Sequence, residues 1–105
     1  MKYVSIQGDT ATIRVSGSFD FMVAGEVSPE ISTALSSGCT KFVVDLSETT
    51  FIDSSTIREL NRVRHRIGKD NFRAFGATGE VYITLYTGKF DELWNIPRPE
   101  GMSQL

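Results

Sequence analysis

The sequence is poor in the residues that usually carry catalysis, metal binding and covalent cross-linking. Its 105 residues include one cysteine, Cys39, and one histidine, His65. A lone cysteine excludes an internal disulfide and a cysteine-rich zinc site, and it fits a reducing compartment. His65 lies between Arg64 and Arg66, whose charges disfavour a further cation, so it is interpreted as a solvated helix residue and not as an acid–base catalyst.

Long apolar runs and excess positive charge are absent as well. No apolar run approaches the roughly 20 residues that span a bilayer. The first residues enter strand-like alternation at once, without the apolar core or cleavage site of a signal peptide. The net charge of -2 argues against a general nucleic-acid binder. We therefore expect a cytoplasmic protein with no direct membrane insertion and no nucleic-acid partner.

Motifs of common enzyme classes are missing too. The chain has no phosphate-binding loop, no dinucleotide-binding glycine fingerprint and no histidine–acid spacing for a metal. Asp45 and Asp53 suggest a carboxylate pair, but Asp45 ends a predicted strand and Asp53 is placed to cap a helix. We expect a protein that is not an enzyme and needs no metal or cofactor.

What is present is an ordinary globular composition, 40% apolar and 23% charged, of a length that suits one domain. Period-two alternation and short apolar runs predict strands at 2–6, 10–15, 41–46 and 72–76, and the last apolar segment, 90–96, is interpreted as a fifth strand. Helical spacing predicts three helices, which end at Gly38, Gly68 and Gly88.

Two polar or mixed segments connect these elements. Ser16–Asp20 is interpreted as a polar junction, and Ser47–Ile52 as a connector between a strand and a helix. Pro29 falls inside the first helical pattern, so that helix is expected to begin late, with Ser28 as its N-cap, or to kink there. The alternation of strands and helices predicts an α/β fold with parallel pairing in its later half.

The strongest local feature is Asp53-Ser54-Ser55-Thr56, which follows a buried strand and an apolar connector. It places hydroxyls in the first turn of a helix, where free N–H groups and the helix dipole accommodate an anion. A phosphate on Ser54 would therefore be tolerated there. The alternative is that these residues only cap the helix.

Three segments resemble the STAS domain family (sulphate transporter and anti-sigma factor antagonist). They are Gly17-Ser18-Phe19-Asp20, Asp45-Leu46-Ser47 and Phe51-Ile52-Asp53-Ser54-Ser55, and the resemblance extends over about residues 2–96. It implies a STAS domain at 1–96 and a C-terminal tail at 97–105. It also implies an α/β fold made of a single layer of about four to five mixed strands, with helices mainly on one side.

The same resemblance implies a bacterial partner-switching role in transcription regulation, in a protein that is a monomer or a weak dimer. Ser54 corresponds to the family's phosphate acceptor. The unphosphorylated form would bind an anti-sigma factor serine kinase and so release a sigma factor. The kinase would phosphorylate Ser54 and break the complex, and a serine phosphatase would reset it. The partner-binding residues are then expected to be Asp20, Asp53, Ser54, Ser55, Thr56, Arg58 and Arg62.

The sequence departs from the family pattern at Thr56-Ile57-Arg58. The family usually has Gly-Leu-Gly there, and the small glycines let a partner backbone come close. This departure motivates an alternative: a STAS scaffold subunit of a membrane transport or other signalling complex that is never phosphorylated. A second departure lies at the C-terminal end, where the family commonly has another helix. Pro97-Arg98-Pro99 disfavours the start of a helix at this point.

Positive charge is concentrated on one helix face, because Arg58, Arg62, Arg66 and Lys69 follow steps of four, four and three. The pattern is typical of a solvated amphipathic helix. A docking surface for an acidic partner is the functional alternative. Nucleic-acid binding is less favoured, since no aromatic residues alternate with the charges.

Overall fold

The computed structural model describes residues 1–97, and it confirms the α/β fold class. The strands are β1 (Val4–Gln7), β2 (Thr10–Arg14), β3 (Gly17–Phe19), β4 (Lys41–Asp45), β5 (Thr49–Ile52) and β6 (Phe72–Phe75). The helices are α1 (Phe21–Ser36), α2 (Ser54–Ile67), α3 (Gly79–Thr87) and α4 (Phe90–Leu93), with a 3₁₀ turn at Lys69–Asn71.

Four strands form one mixed sheet in the order β1-β2-β4-β6. The predicted hairpin is confirmed, since β1 and β2 pair antiparallel, and β2, β4 and β6 then pair parallel as expected. Alternate side chains of these strands are buried with residues of α1 and α2 in one hydrophobic cluster, whereas Arg14 and Arg73 on the other face are exposed. The sheet thus has one covered and one open face, as predicted.

The strands divide between two sheets, because β3 and β5 form a two-stranded parallel sheet of their own. Both strands lie in segments that the sequence pattern assigned to a junction and a connector. Neither strand has an alternating burial pattern: β3 has only three residues, and the buried residues of β5 are Thr49 and Ile52 at its two ends. Their pairing places Phe19 opposite Ile52, so the two strands end side by side.

The late start predicted for the first helix was also wrong. Asp20, and not Ser28, is the N-cap, and Pro29 lies inside the helix. Val27 and Ile31 are buried on the inward face, while Pro29 is exposed. Burial of that continuous apolar stripe outweighs the one backbone hydrogen bond that Pro29 cannot donate.

The predicted stops at Gly38 and Gly68 are confirmed, and both glycines have the positive φ that follows a helix end, +97° and +94°. The fifth strand predicted at 90–96 was wrong, because residues 90–93 form α4. One sheet-like contact remains there, since Ala74 N donates to Trp94 O at 2.9 Å. Of the predicted tail 97–105, all but Pro97 lies outside the described residues.

Candidate functional site: two helix starts that share one carboxylate

The paired ends of β3 and β5 bring the starts of α1 and α2 together. Each strand is followed directly by an aspartate that caps the next helix. Asp20 accepts from Val23 N at 3.1 Å, and Asp53 accepts from Thr56 N at 2.9 Å. Both caps use the short acceptor side chain that satisfies free N–H groups in a first helical turn.

Asp53 also joins the two helices. Its second oxygen, Oδ2, accepts from Phe21 N at 2.9 Å, so one carboxylate receives N–H groups from the first turns of both α1 and α2. The positive N-terminal ends of both helix dipoles are therefore directed at the Asp53 carboxylate. This convergence depends on the β3–β5 pairing and is invisible in the linear sequence.

The electrostatics of Asp53 follow from these contacts. Partial burial alone would raise the pKa of the carboxyl, but the hydrogen bonds from Thr56, Phe21 and Ser55 outweigh it, and the pKa of Asp53 lies below its ordinary value. Asp53 is thus held as an anion. Asp45, the other carboxylate considered from the sequence, accepts from Ser47 and from Arg14 Nε and likewise has a lowered pKa.

Ser54 follows this junction as the first residue of α2 and is exposed. Within residues 1–97 its hydroxyl makes no side-chain hydrogen bond, whereas Ser55 is half-buried. Arg58 and Arg62 are exposed on the same helix. The structure therefore places Ser54, Ser55, Arg58 and Arg62 at or near one surface, with Asp20 and Asp53 beneath it as caps.

Thr56 is the exception among the expected partner-binding residues. Its side chain is fully buried, and its hydroxyl donates to Phe19 O at 2.8 Å. Thr56 therefore ties the end of β3 to the start of α2. Its inclusion in a contact surface does not fit this burial, because the side chain has no face to offer a partner.

Sequence reasoning missed the apolar part of this surface. Phe21 and Met22 are 71% and 76% exposed at the start of α1, and both line the same hollow as Ser55 and Arg58. The signal was available, because Phe21 and Met22 fall outside the helical stripe that runs through Val23, Val27 and Ile31. An exposed apolar cluster beside polar caps is typical of a protein contact surface.

The residues and the fold identify the family once they are compared with known proteins. The sequence model described as "Mlab, STAS domain" matches residues 3–78, well over half of the chain. The chain belongs to the STAS domain family. No curated protein sequence matches it.

Solved structures agree with this fold. A protein assigned as an anti-sigma factor antagonist of Thermotoga maritima superposes with a TM-score of 0.78 at 17% identity, covering 92% of this chain and 86% of that one. An anti-sigma factor antagonist of Mycobacterium paratuberculosis gives 0.76 at 20% identity, with 92% and 84% covered. The Bacillus cell fate determinant SpoIIAA, in its phosphorylated form, gives 0.68 at 17% identity, with 92% and 90% covered.

No group of metal-ligating side chains occurs in residues 1–97. Over the same residues, no helix is long and apolar enough to cross a bilayer.

The shared carboxylate leads to a prediction about stability. Asp53→Ala should lower the free energy of unfolding by about 1–2 kcal/mol, because both helix starts lose an acceptor. Asp53→Asn can still cap Thr56 N but should lose the bond from Phe21 N, at a cost of about 0.5–1.5 kcal/mol. Because the folded pKa of Asp53 is lowered, this contribution is present above the ordinary value of 3.8 and is lost as pH falls below it.

Urea denaturation near neutral pH and at acid pH measures both effects. Asp20→Asn is the matched control, since Asp20 caps only its own helix and asparagine caps equally well. Equal stability of the Asp53→Asn and Asp20→Asn variants would show that the link to α1 contributes nothing.

Proposed function

We propose that this STAS domain is an anti-sigma factor antagonist controlled by phosphorylation of Ser54. The observation that carries the proposal is the exposed Ser54 hydroxyl at a junction of two helix starts, next to exposed Phe21 and Met22. The unphosphorylated surface would bind an anti-sigma factor serine kinase and so release a sigma factor. The kinase would then transfer phosphate from ATP to Ser54, and a serine phosphatase would remove it. Because the switch uses ATP, the proposal places the protein in the cytoplasm.

The geometry supports a switch that works at the surface. A phosphate on Ser54 would add about -1.5 to -2 charges in the first turn of α2. The free N–H groups there and the converging dipoles favour an anion, so the fold should persist after modification. The same charge would change what the neighbouring apolar surface can bind. The role is regulatory, and ATP belongs to the kinase, so the proposal requires no cofactor on this chain.

The STAS scaffold of a transport or signalling complex remains the competing hypothesis. It was motivated by Thr56 and Arg58. Because Thr56 is buried, only Arg58 changes the surface relative to the family pattern. The structural observation that favours the scaffold is therefore weaker than the one that favours the switch.

Complex formation tests the proposal. The protein is mixed with an anti-sigma factor serine kinase encoded in the same genome, and the complex is measured by gel filtration before and after ATP is added. We expect a complex without ATP and its loss once one phosphate per chain is incorporated. A complex that survives complete phosphorylation would contradict the switch. Absence of both phosphorylation and complex, together with co-purification of transporter subunits, would favour the scaffold.

A further inference from the structure

A groove runs between α1 and α2, starting beside Ser55 and Arg58 in the first turns of α2. It consists of two adjoining hollows of about 420 and 180 Å³, which share Ser28, Glu59 and Arg62 as lining residues. Met22 and Gly25 line its open end, and Ile31 and Leu35 line the far end. The two hollows meet where the Ser28 hydroxyl of α1 donates to Glu59 Oε1 of α2 at 3.1 Å, so a segment bound along the groove would lie over this bridge.

One wall of the groove is basic. Arg58, Arg62 and Arg66 line it from α2, each about 6 Å further along the axis than the last. Glu59 contacts Arg62 through both carboxylate oxygens, at 2.8 and 2.7 Å. Over residues 1–97, no carboxylate lies within ion-pair distance of Arg58 or Arg66. The wall thus keeps a net positive charge.

The opposite wall does not neutralise it. The acidic side chains of α1 are directed to β1, where Glu30 accepts from Tyr3 N and Val4 N at 2.8 and 2.9 Å, and Glu26 accepts from the Tyr3 hydroxyl at 2.6 Å. The α1 wall of the groove is instead lined by small, polar and apolar side chains. One side of the groove is basic and the other is apolar or small.

We infer that this groove binds an acidic amphipathic helix of a protein partner. A helix laid in the groove would place carboxylates four residues apart opposite arginines with the same spacing, and its apolar face against exposed Met22 and half-buried Leu35. The inference rests on the proposed function and extends it. Ser54 lies one helical turn before Arg58 on the same helix face, so a phosphate on Ser54 would add negative charge near the open end of the groove and repel an acidic helix.

A synthetic peptide provides the probe. It is an amphipathic helix with glutamates at every fourth position of one face and leucines on the other, and the control peptide has the same composition with the glutamates redistributed around the helix. Binding to the full chain is measured by fluorescence anisotropy at low and high salt, and the site by NMR shifts of backbone amides. We expect shifts along both α1 and α2 and weaker binding of the control peptide.

Arg66→Glu is the decisive variant, because Arg66 lies about 18 Å along α2 from Ser54. It should weaken peptide binding roughly tenfold and flatten its salt dependence, since a screened attraction is removed. Arg73→Glu is the matched control: Arg73 is also an exposed arginine but lies on the open sheet face, and its reversal should change binding little. Arg66→Gln repeats the test without placing an acid at the carboxyl end of the helix.

Three results would overturn the inference: equal binding of both peptides, equal effects of Arg66→Glu and Arg73→Glu, or equally strong binding of a DNA oligonucleotide at the same surface. Failure of the groove is distinguishable from failure of the proposed function. In the first case the kinase still phosphorylates Ser54 and binds Arg66→Glu as tightly as wild type. In the second case the kinase neither binds nor phosphorylates the wild-type protein.

Discussion

Ser54→Ala is expected to abolish phosphate transfer to this protein by its cognate anti-sigma factor serine kinase. Ser54 is exposed in the first turn of α2, so its hydroxyl is accessible to an enzyme active site. Alanine removes the only atom that can accept the phosphoryl group at this position. Mass spectrometry after incubation with kinase and ATP should show one phosphate on the wild type and none on the variant.

Ser55→Ala is the matched control, because Ser55 is the adjacent serine of the same helical turn but is half-buried. It should be phosphorylated like the wild type. Ser54→Ala should also hold the kinase in a complex that ATP no longer dissociates. Equal labelling of the Ser54→Ala protein, or a phosphate mapped to Ser55, would reject the assignment of the acceptor.

Trp94→Ala is expected to cost about 3–5 kcal/mol of stability, a large share of the roughly 5–15 kcal/mol that holds a small domain together. Trp94 is fully buried, with ring centroids 5.7 Å from Phe72 and 5.4 Å from Phe90. Its removal leaves a cavity between the sheet and the C-terminal segment. Urea denaturation monitored by far-UV circular dichroism measures the loss.

Leu93→Ala is the control for Trp94→Ala, because the neighbouring Leu93 is 40% exposed and should cost far less. If the two variants unfold at the same urea concentration, the C-terminal segment is not part of the cooperative core. The sequence model of the family stops at residue 78, whereas Val81, Leu85 and Trp94 belong to the buried cluster. We therefore propose that the domain extends to residue 96, as expected from the sequence, and a large loss for Trp94→Ala would support that limit.

Sequence patterns predicted those elements in which buried residues follow a regular period or form a continuous apolar run. The β1–β2 hairpin, the strands β4 and β6 and the helices α2 and α3 were all predicted from alternation, helical spacing and glycine stops. The start of α1 was predicted wrongly because the prediction considered only the hydrogen bond that Pro29 cannot donate. The burial of the apolar stripe along the whole helix stabilises α1 by more than that one bond. The strand predicted at 90–96 was wrong because a short apolar run is compatible with either a strand or a helix.

The α/β class, the STAS resemblance and the position of Ser54 at a helix start could all be predicted from the sequence, because they depend on the order of residues along the chain. The surroundings of Ser54 could not be predicted in this way, because they depend on contacts between distant segments. The pairing of β3 with β5 joins segments 32 residues apart, and it lets Asp53 bind the start of α1 through Phe21 N. It also buries Thr56 and leaves Phe21 and Met22 exposed. Burial is set by what packs against a side chain from elsewhere in the chain, and no local pattern contains that information.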